Sequence, residues 1–230
     1  ANYHGGGQQY IVADLDSNGW PQSGRNRALD ELRRGFVFHY AGDQHLASVV
    51  RHGIDDWGDA GFSFCVPSIA AGYPRSWRPD KEGRPVRNRP DPTLPNTGDY
   101  KDGLDNKLSV FAIGNPAAKN RKGRLATLHD KASGFGIVRL NGKTGTIRME
   151  CHRLLIDAAN PKPGDQFPGW PKTIRYTDND GRKPVAHLPT IKVTGMKKGK
   201  QPKHMLEMLE TFGLALEGRH HSGIDDCHNI

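Results

Sequence analysis

Apolar residues are scarce in this chain. Only 35% of its 230 residues are hydrophobic and 8% aromatic, and the mean hydropathy is −0.71. Nowhere does an apolar run approach the length needed to cross a bilayer, and the first residues lack the charged and apolar regions of a signal peptide. The reading is of a soluble chain. Cysteine is scarce too: Cys65, Cys151 and Cys227 are far apart with no C-x-x-C, which excludes a zinc knuckle and a disulfide framework while leaving the redox compartment open. What is abundant is Gly (28), Pro (16) and positive charge, with a net +8 and a pI near 9.5. A lean core with many chain-breaking residues points to strands joined by long connections, one large domain or two small ones. The charge points to anionic partners such as phosphoesters or nucleic acid.

The stretch around which the rest is organised is Phe36-Val37-Phe38-His39-Tyr40-Ala41, followed by Gly42-Asp43-Gln44-His45. Aromatic and β-branched residues at this density predict a buried strand. Gly42 allows a sharp exit, and in extended backbone residues two apart face the same side. Asp43 and His45 are thereby expected to face one point, where a carboxylate and an imidazole suit a metal ion.

Upstream, Tyr10-Ile11-Val12-Ala13 reads as a short strand that delivers Asp14 and Asp16 into a polar turn. Ser23 is the expected N-cap of a helix over 25–34, with Leu29 and Leu32 on its buried side and Gly35 as its stop. Strand, polar loop, helix and strand form an α/β unit, whose ligand sites lie at strand ends. This predicts that Asp14, Asp16, Arg25 and Arg27 approach Asp43 and His45. Arginine near a helix N-terminus opposes the dipole, which hints at a local anion.

Downstream, 46–54, 60–69 and 108–113 read as strands, with Cys65 a small core residue. Residues 72–105, dominated by Pro, Arg, Gly and Asp, read as a long irregular connection. Segments 135–140 and 146–151 read as a hairpin closed at Asn141-Gly142. Gly142-Lys143-Thr144 is not a phosphate loop, because Ile137 stands where that loop requires glycine. A last short strand is expected at 190–194, then a basic linker over 197–203 and an amphipathic helix over 204–212 ended by Gly213.

Two resemblances follow from these motifs. Ala13-Asp14-Leu15-Asp16-Ser17-Asn18-Gly19-Trp20-Pro21-Gln22, Gly24-Arg25-Asn26-Arg27, Ala41-Gly42-Asp43-Gln44-His45-Leu46, Phe64-Cys65-Val66-Pro67-Ser68-Ile69 and Phe167-Pro168-Gly169-Trp170-Pro171 occur in order. Together they make residues 1–195 resemble the C-terminal part of the alkaline phosphatase D family, metallophosphoesterases of the calcineurin-like superfamily. The resemblance implies a mixed α/β (α+β) fold, part of a two-sheet sandwich with long loops. It also implies a site with divalent or trivalent metals (Fe, Ca, Mg, Mn or Zn) acting on a phosphoester, and an extracytoplasmic location. Asp43 and His45 would be metal ligands, and Asp16, Arg25 and Arg27 would lie near the substrate. The family's earlier motifs, of the Asp-x-His, Gly-Asp and Asn/Asp-His types, are not in this sequence. One aspartate and one histidine do not hold two metals, so the chain alone is expected to be weak or inactive.

Residues 196–230 differ. Gly218-Arg219-His220-His221-Ser222-Gly223-Ile224-Asp225-Asp226 resembles the third motif of DEDDh-type 3′-5′ exonucleases. That resemblance implies His221 as general base and Asp226 as metal ligand in a helical tail. Three functions thus stand side by side: metal-dependent phosphoester hydrolysis, exonuclease action on RNA, and non-catalytic binding of anions or nucleic acid.

Overall fold

The structure is a computed structural model that describes residues 19, 21–70, 73–117, 121–157 and 159–179. The chain divides into two units, Ala1–Leu188 and Pro189–Ile230, and all described residues belong to the first. The expected strands at 10–13 and 190–194, the domain junction near 195 and the helical tail lie outside the described residues.

The described residues form a mixed α/β fold with two sheets and few helices. Helix α1 (Gln22–Arg34) opens directly after Pro21, and Ser23 lies inside it. Its buried residues are Arg25, Leu29 and Arg33, spaced by four so that they share one face. Arg33 and Arg34 in the last turn favour the negative end of the dipole. The left-handed residue that breaks the helix is Phe36 (φ 55°), not Gly35.

The larger sheet contains β1 (His39–Ala41), β2 (Ala47–Gly53), β3 (Phe62–Cys65), β4 (Gly98–Lys101) and β5 (Lys107–Gly114) in the order β1-β3-β2-β5-β4. Only β1 and β3 run parallel. This corrects the expected buried strand at 36–41. β1 has three residues and, among the described residues, one ladder neighbour, and its Tyr40 is 53% exposed. A short strand with an exposed tyrosine is less covered than the aromatic run suggests.

Helix α2 (Arg124–Asp130) leads into the smaller antiparallel sheet of β6 (Gly134–Asn141), β7 (Thr146–Arg153) and β8 (Lys172–Arg175). The hairpin at Asn141-Gly142 forms as expected: the Asn141 side chain accepts N–H bonds from Lys143 and Thr144, and Asn141 pairs with Thr146.

The two sheets share one core. Ala47, Val49, Phe62, Phe64 and Ala112 from the larger sheet meet Ile147, Met149, Cys151 and Ile174 from the smaller one, with Phe167 and Trp170 beside them. The approach is close enough to require glycine at position 136, where an added Cβ would run into Val66 and the Phe64 ring. A second core lies on the other face of the larger sheet and comprises Leu46, Val50, Cys65, Trp77, Tyr100, Leu108, Val110 and Ile113. The alternation Val49/Val50 between the two cores follows the strand period of two. Opposite these two valines β5 carries an irregularity, which leaves Phe111 unpaired between Val110 and Ala112.

The expected irregular connection is the roof of this second core. Trp77 is buried, and its main chain is clasped at both ends by the Asn115 side chain (2.8 Å to each of its N and O). Further on, the Asp80 carboxylate accepts bonds from Arg89, the Tyr100 hydroxyl and the Asn96 N–H. Burying one aromatic side chain contributes about 2–3 kcal/mol, so Trp77 alone gives this loop a reason to stay down.

Candidate functional site

At the end of β1 the backbone turns left. Asp43 (φ 67°) and His45 (φ 52°) both take left-handed conformations, so the extended geometry expected for this pair is not what holds it. Instead a three-residue turn is closed by a bond from the Gln44 N–H to Gly42 O (2.8 Å). Asp and His tolerate this region better than most residue types, and non-glycine residues held there concentrate at functional sites.

Each part of the turn is braced from the roof segment. Gln44 is buried, and its Oε1 accepts a bond from Arg75 Nη1 (2.8 Å). His45 Nδ1 lies 2.7 Å from the Tyr73 carbonyl oxygen. A carbonyl can only accept, so Nδ1 carries the hydrogen and the neutral ring keeps its lone pair on Nε2. Histidines that bind metals are oriented in this way, with the other ring nitrogen tied to a backbone carbonyl. The Asp43 side chain is exposed. Cys65, beneath the turn, contacts Gly42 O through its thiol at 3.7 Å. Burial pushes that thiol's pKa up, which keeps it protonated and makes it a poor nucleophile.

The other expected site residues that the structure describes, Arg25 and Arg27, are not gathered here. Arg25 is buried at the far end of the larger sheet. It donates to Gly53 O (2.7 Å), Asn26 Oδ1 (2.8 Å) and Lys107 O (3.3 Å), and burial pulls its pKa down to about 10 against the favourable charges of Asp102 and Asp59. Gly53 ends β2 and Ala47 begins it, a separation of about 20 Å along the strand. The expected approach of Arg25 to Asp43 and His45 is therefore corrected: its guanidinium satisfies strand-end carbonyls. Arg27 is exposed on α1, two residues on and so away from the buried face. Asp16, His221 and Asp226 lie outside the described residues.

Among the described residues, no group of three or more His, Cys, Asp and Glu side chains gathers to hold a metal ion. Asp43 and His45 supply donors of the right chemistry for half of such a set. The described residues alone do not complete it, and no catalytic step is derived through a metal. The braces Tyr73 and Arg75 carry no sequence signal, since their partners are 28 and 31 residues away. No protein-family model, no curated protein and no solved structure matches the chain.

Proposed function

We propose that the chain is part of a metal-dependent phosphoester hydrolase with the two-sheet sandwich of the metallophosphoesterases, in which Asp43 and His45 are two of the metal ligands. The observation that carries this reading is the His45 ring: its Nδ1 is committed to Tyr73 O, its Nε2 is left to accept, and an exposed carboxylate stands two residues away. A metal bound there would polarise a phosphoester oxygen and lower the pKa of a bound water. Asp43 would add negative charge and His45 a neutral nitrogen. The ligand set is incomplete among the described residues, and turnover by this chain alone is slow or absent.

Metal analysis of the purified chain after equilibration with Mn²⁺ or Zn²⁺ tests the reading. The expected stoichiometry is well below two, and it falls further in Asp43→Asn and His45→Gln. Equal metal retention by the wild type and both variants overturns it. Hydrolysis of an aryl phosphate, compared with trimming of single-stranded RNA before and after chelation, separates the phosphatase from the exonuclease alternative. Salt-sensitive RNA binding without cleavage would favour the non-catalytic reading instead.

A further inference from the structure

A cavity of about 210 Å³ opens where β5 and β7 end, lined by Arg78, Arg153, Asn96, Thr97, Ile113 and Asn115 among others. Most of its polar side chains are already engaged. Asn115 clasps Trp77, and the Thr97 hydroxyl donates to Leu94 O. Arg78 donates from Nη2 to Pro116 O (2.9 Å), which leaves most of its fork uncommitted. Arg153 is half-buried, with its guanidinium over the Phe167 ring at 4.5 Å. Among the described residues, neither arginine has a carboxylate within ion-pair distance.

This departs from two other sequestered arginines: Arg33 is held by Asp30 and Asp59, and Arg89 is held by Asp80. Arg25 has no ion-paired acid among the described residues either, but its guanidinium is engaged by main-chain carbonyls and Asn26. Burial pulls the pKa of Arg153 below its ordinary value, countered by the neighbouring Cys151 and by no described carboxylate. Two arginines lining one small cavity, with a wall of Leu94, Ile113 and Pro168, describe a receptor for negative charge. The cavity is smaller than the 300–1,000 Å³ or so typical of cofactor and drug-sized ligand sites, which limits the occupant to a compact anion.

We infer that the Arg78–Arg153 cavity is a binding site for a phosphate-class oxyanion, either free phosphate or the head of a small phosphomonoester. Planar forks give two parallel bonds each, and a tetrahedral anion has enough oxygens to occupy both, whereas a carboxylate is satisfied by one. The site does not depend on Asp43 or His45 for its chemistry and takes its anion with every metal removed.

Calorimetric titration of the full chain, in EDTA and a buffer free of phosphate, tests this with inorganic phosphate, methyl phosphate and acetate. The expected result is one saturable site for the two phosphates and at least tenfold weaker binding of acetate. Arg153→Gln and Arg78→Gln are each expected to weaken phosphate binding tenfold or more. Arg153→Lys should give an intermediate loss, because the charge remains and the fork is gone. Exposed Arg175→Gln and turn residue Asp43→Asn should bind as wild type does. Circular dichroism and thermal melts confirm that each variant is folded. Absence of saturable binding by wild type, unchanged binding in folded Arg153→Gln, equal binding of acetate, or loss of binding in Asp43→Asn would each overturn the assignment. Failure of the metal reading, by contrast, leaves all these results in place.

Discussion

The two ends of the larger sheet treat charge in opposite ways. At the end formed by Gly53 and Lys107, Arg25 and Arg33 are nearly inaccessible and both are bonded within the protein. Arg25 binds strand-end carbonyls, and Arg33 is bonded to the carboxylates of Asp30 and Asp59 and to Asp59 O. Asp59 in turn accepts N–H bonds from Ile54, Asp55 and Asp56. At the end formed by Ala41, Ala47 and Gly114, Asp43 is exposed, His45 offers a ring nitrogen, and Arg78 and Arg153 face a cavity without a described acid. A buried charge with its partners in place is part of the scaffold. One held without a described acid is a place where something else is expected to bind. The difference also shows why the residue type alone misleads: Arg25 and Arg153 are both arginines near strand ends, and only their surroundings separate them.

The comparison can be broken most sharply at Arg33. Replacing it by alanine leaves a void and removes its ion pairs, while Asp30 keeps Arg34 and Asp59 keeps its N–H donors, so the cost should be about 2 kcal/mol. Arg27→Ala, on the exposed side of the same helix, should change stability by less than about 0.5 kcal/mol. Urea denaturation of the two variants measures the contrast, and similar midpoints would remove the distinction.

A smaller effect concerns the outer face of the smaller sheet. Burial works against the Glu150 carboxylate, but bonds from Arg148, Arg139 and His152 outweigh it and bring its pKa down to about 2. A carboxyl lowered on folding stabilises the protein above its unfolded pKa and loses that contribution as pH falls through the folded one. The loss should run from about pH 4.5 to about pH 2. Since both arginines are largely in water, its size should be on the order of 1 kcal/mol. Thermal melts over this range should show a shallower acid limb in Glu150→Gln than in wild type.

The smallest expected change sharpens the other end. Glycine adopts a left-handed conformation without the Cβ penalty, so Asp43→Gly should raise stability by about 0.5–1 kcal/mol while removing a proposed ligand. A melt that moves down instead would mean that the carboxylate stabilises the turn.

Much of the strand content could be read from pattern. The run 46–54 is apolar because β2 is central and covered on both faces, and Asn141-Gly142 announces its hairpin. β4 was hidden in the expected loop 72–105 because its residues earn their place through partners. Asp99 accepts a bond from Ser109 Oγ at 2.6 Å, and the Tyr100 hydroxyl reaches Asp80. β8 has a single buried residue, Ile174, too little to register as a pattern. At the candidate site Asp43 and His45 are legible as donor types two residues apart, and the left-handed backbone they adopt is not. The turn depends on Arg75 and Tyr73, and no local spacing encodes contacts that distant. Arg153 carries no sequence signal for the same reason, because the lack of a described acid beside it is a property of the packed molecule.

Residues 73–78 touch both halves of the open end. Their first carbonyl orients His45, their middle residue grips Gln44, Trp77 is clasped by Asn115, and Arg78 enters the cavity. That span is in effect a tie-rod between two stations. Were an occupant of one station to shift this span, affinity at the other would change, and by thermodynamic reciprocity the second would do the same to the first.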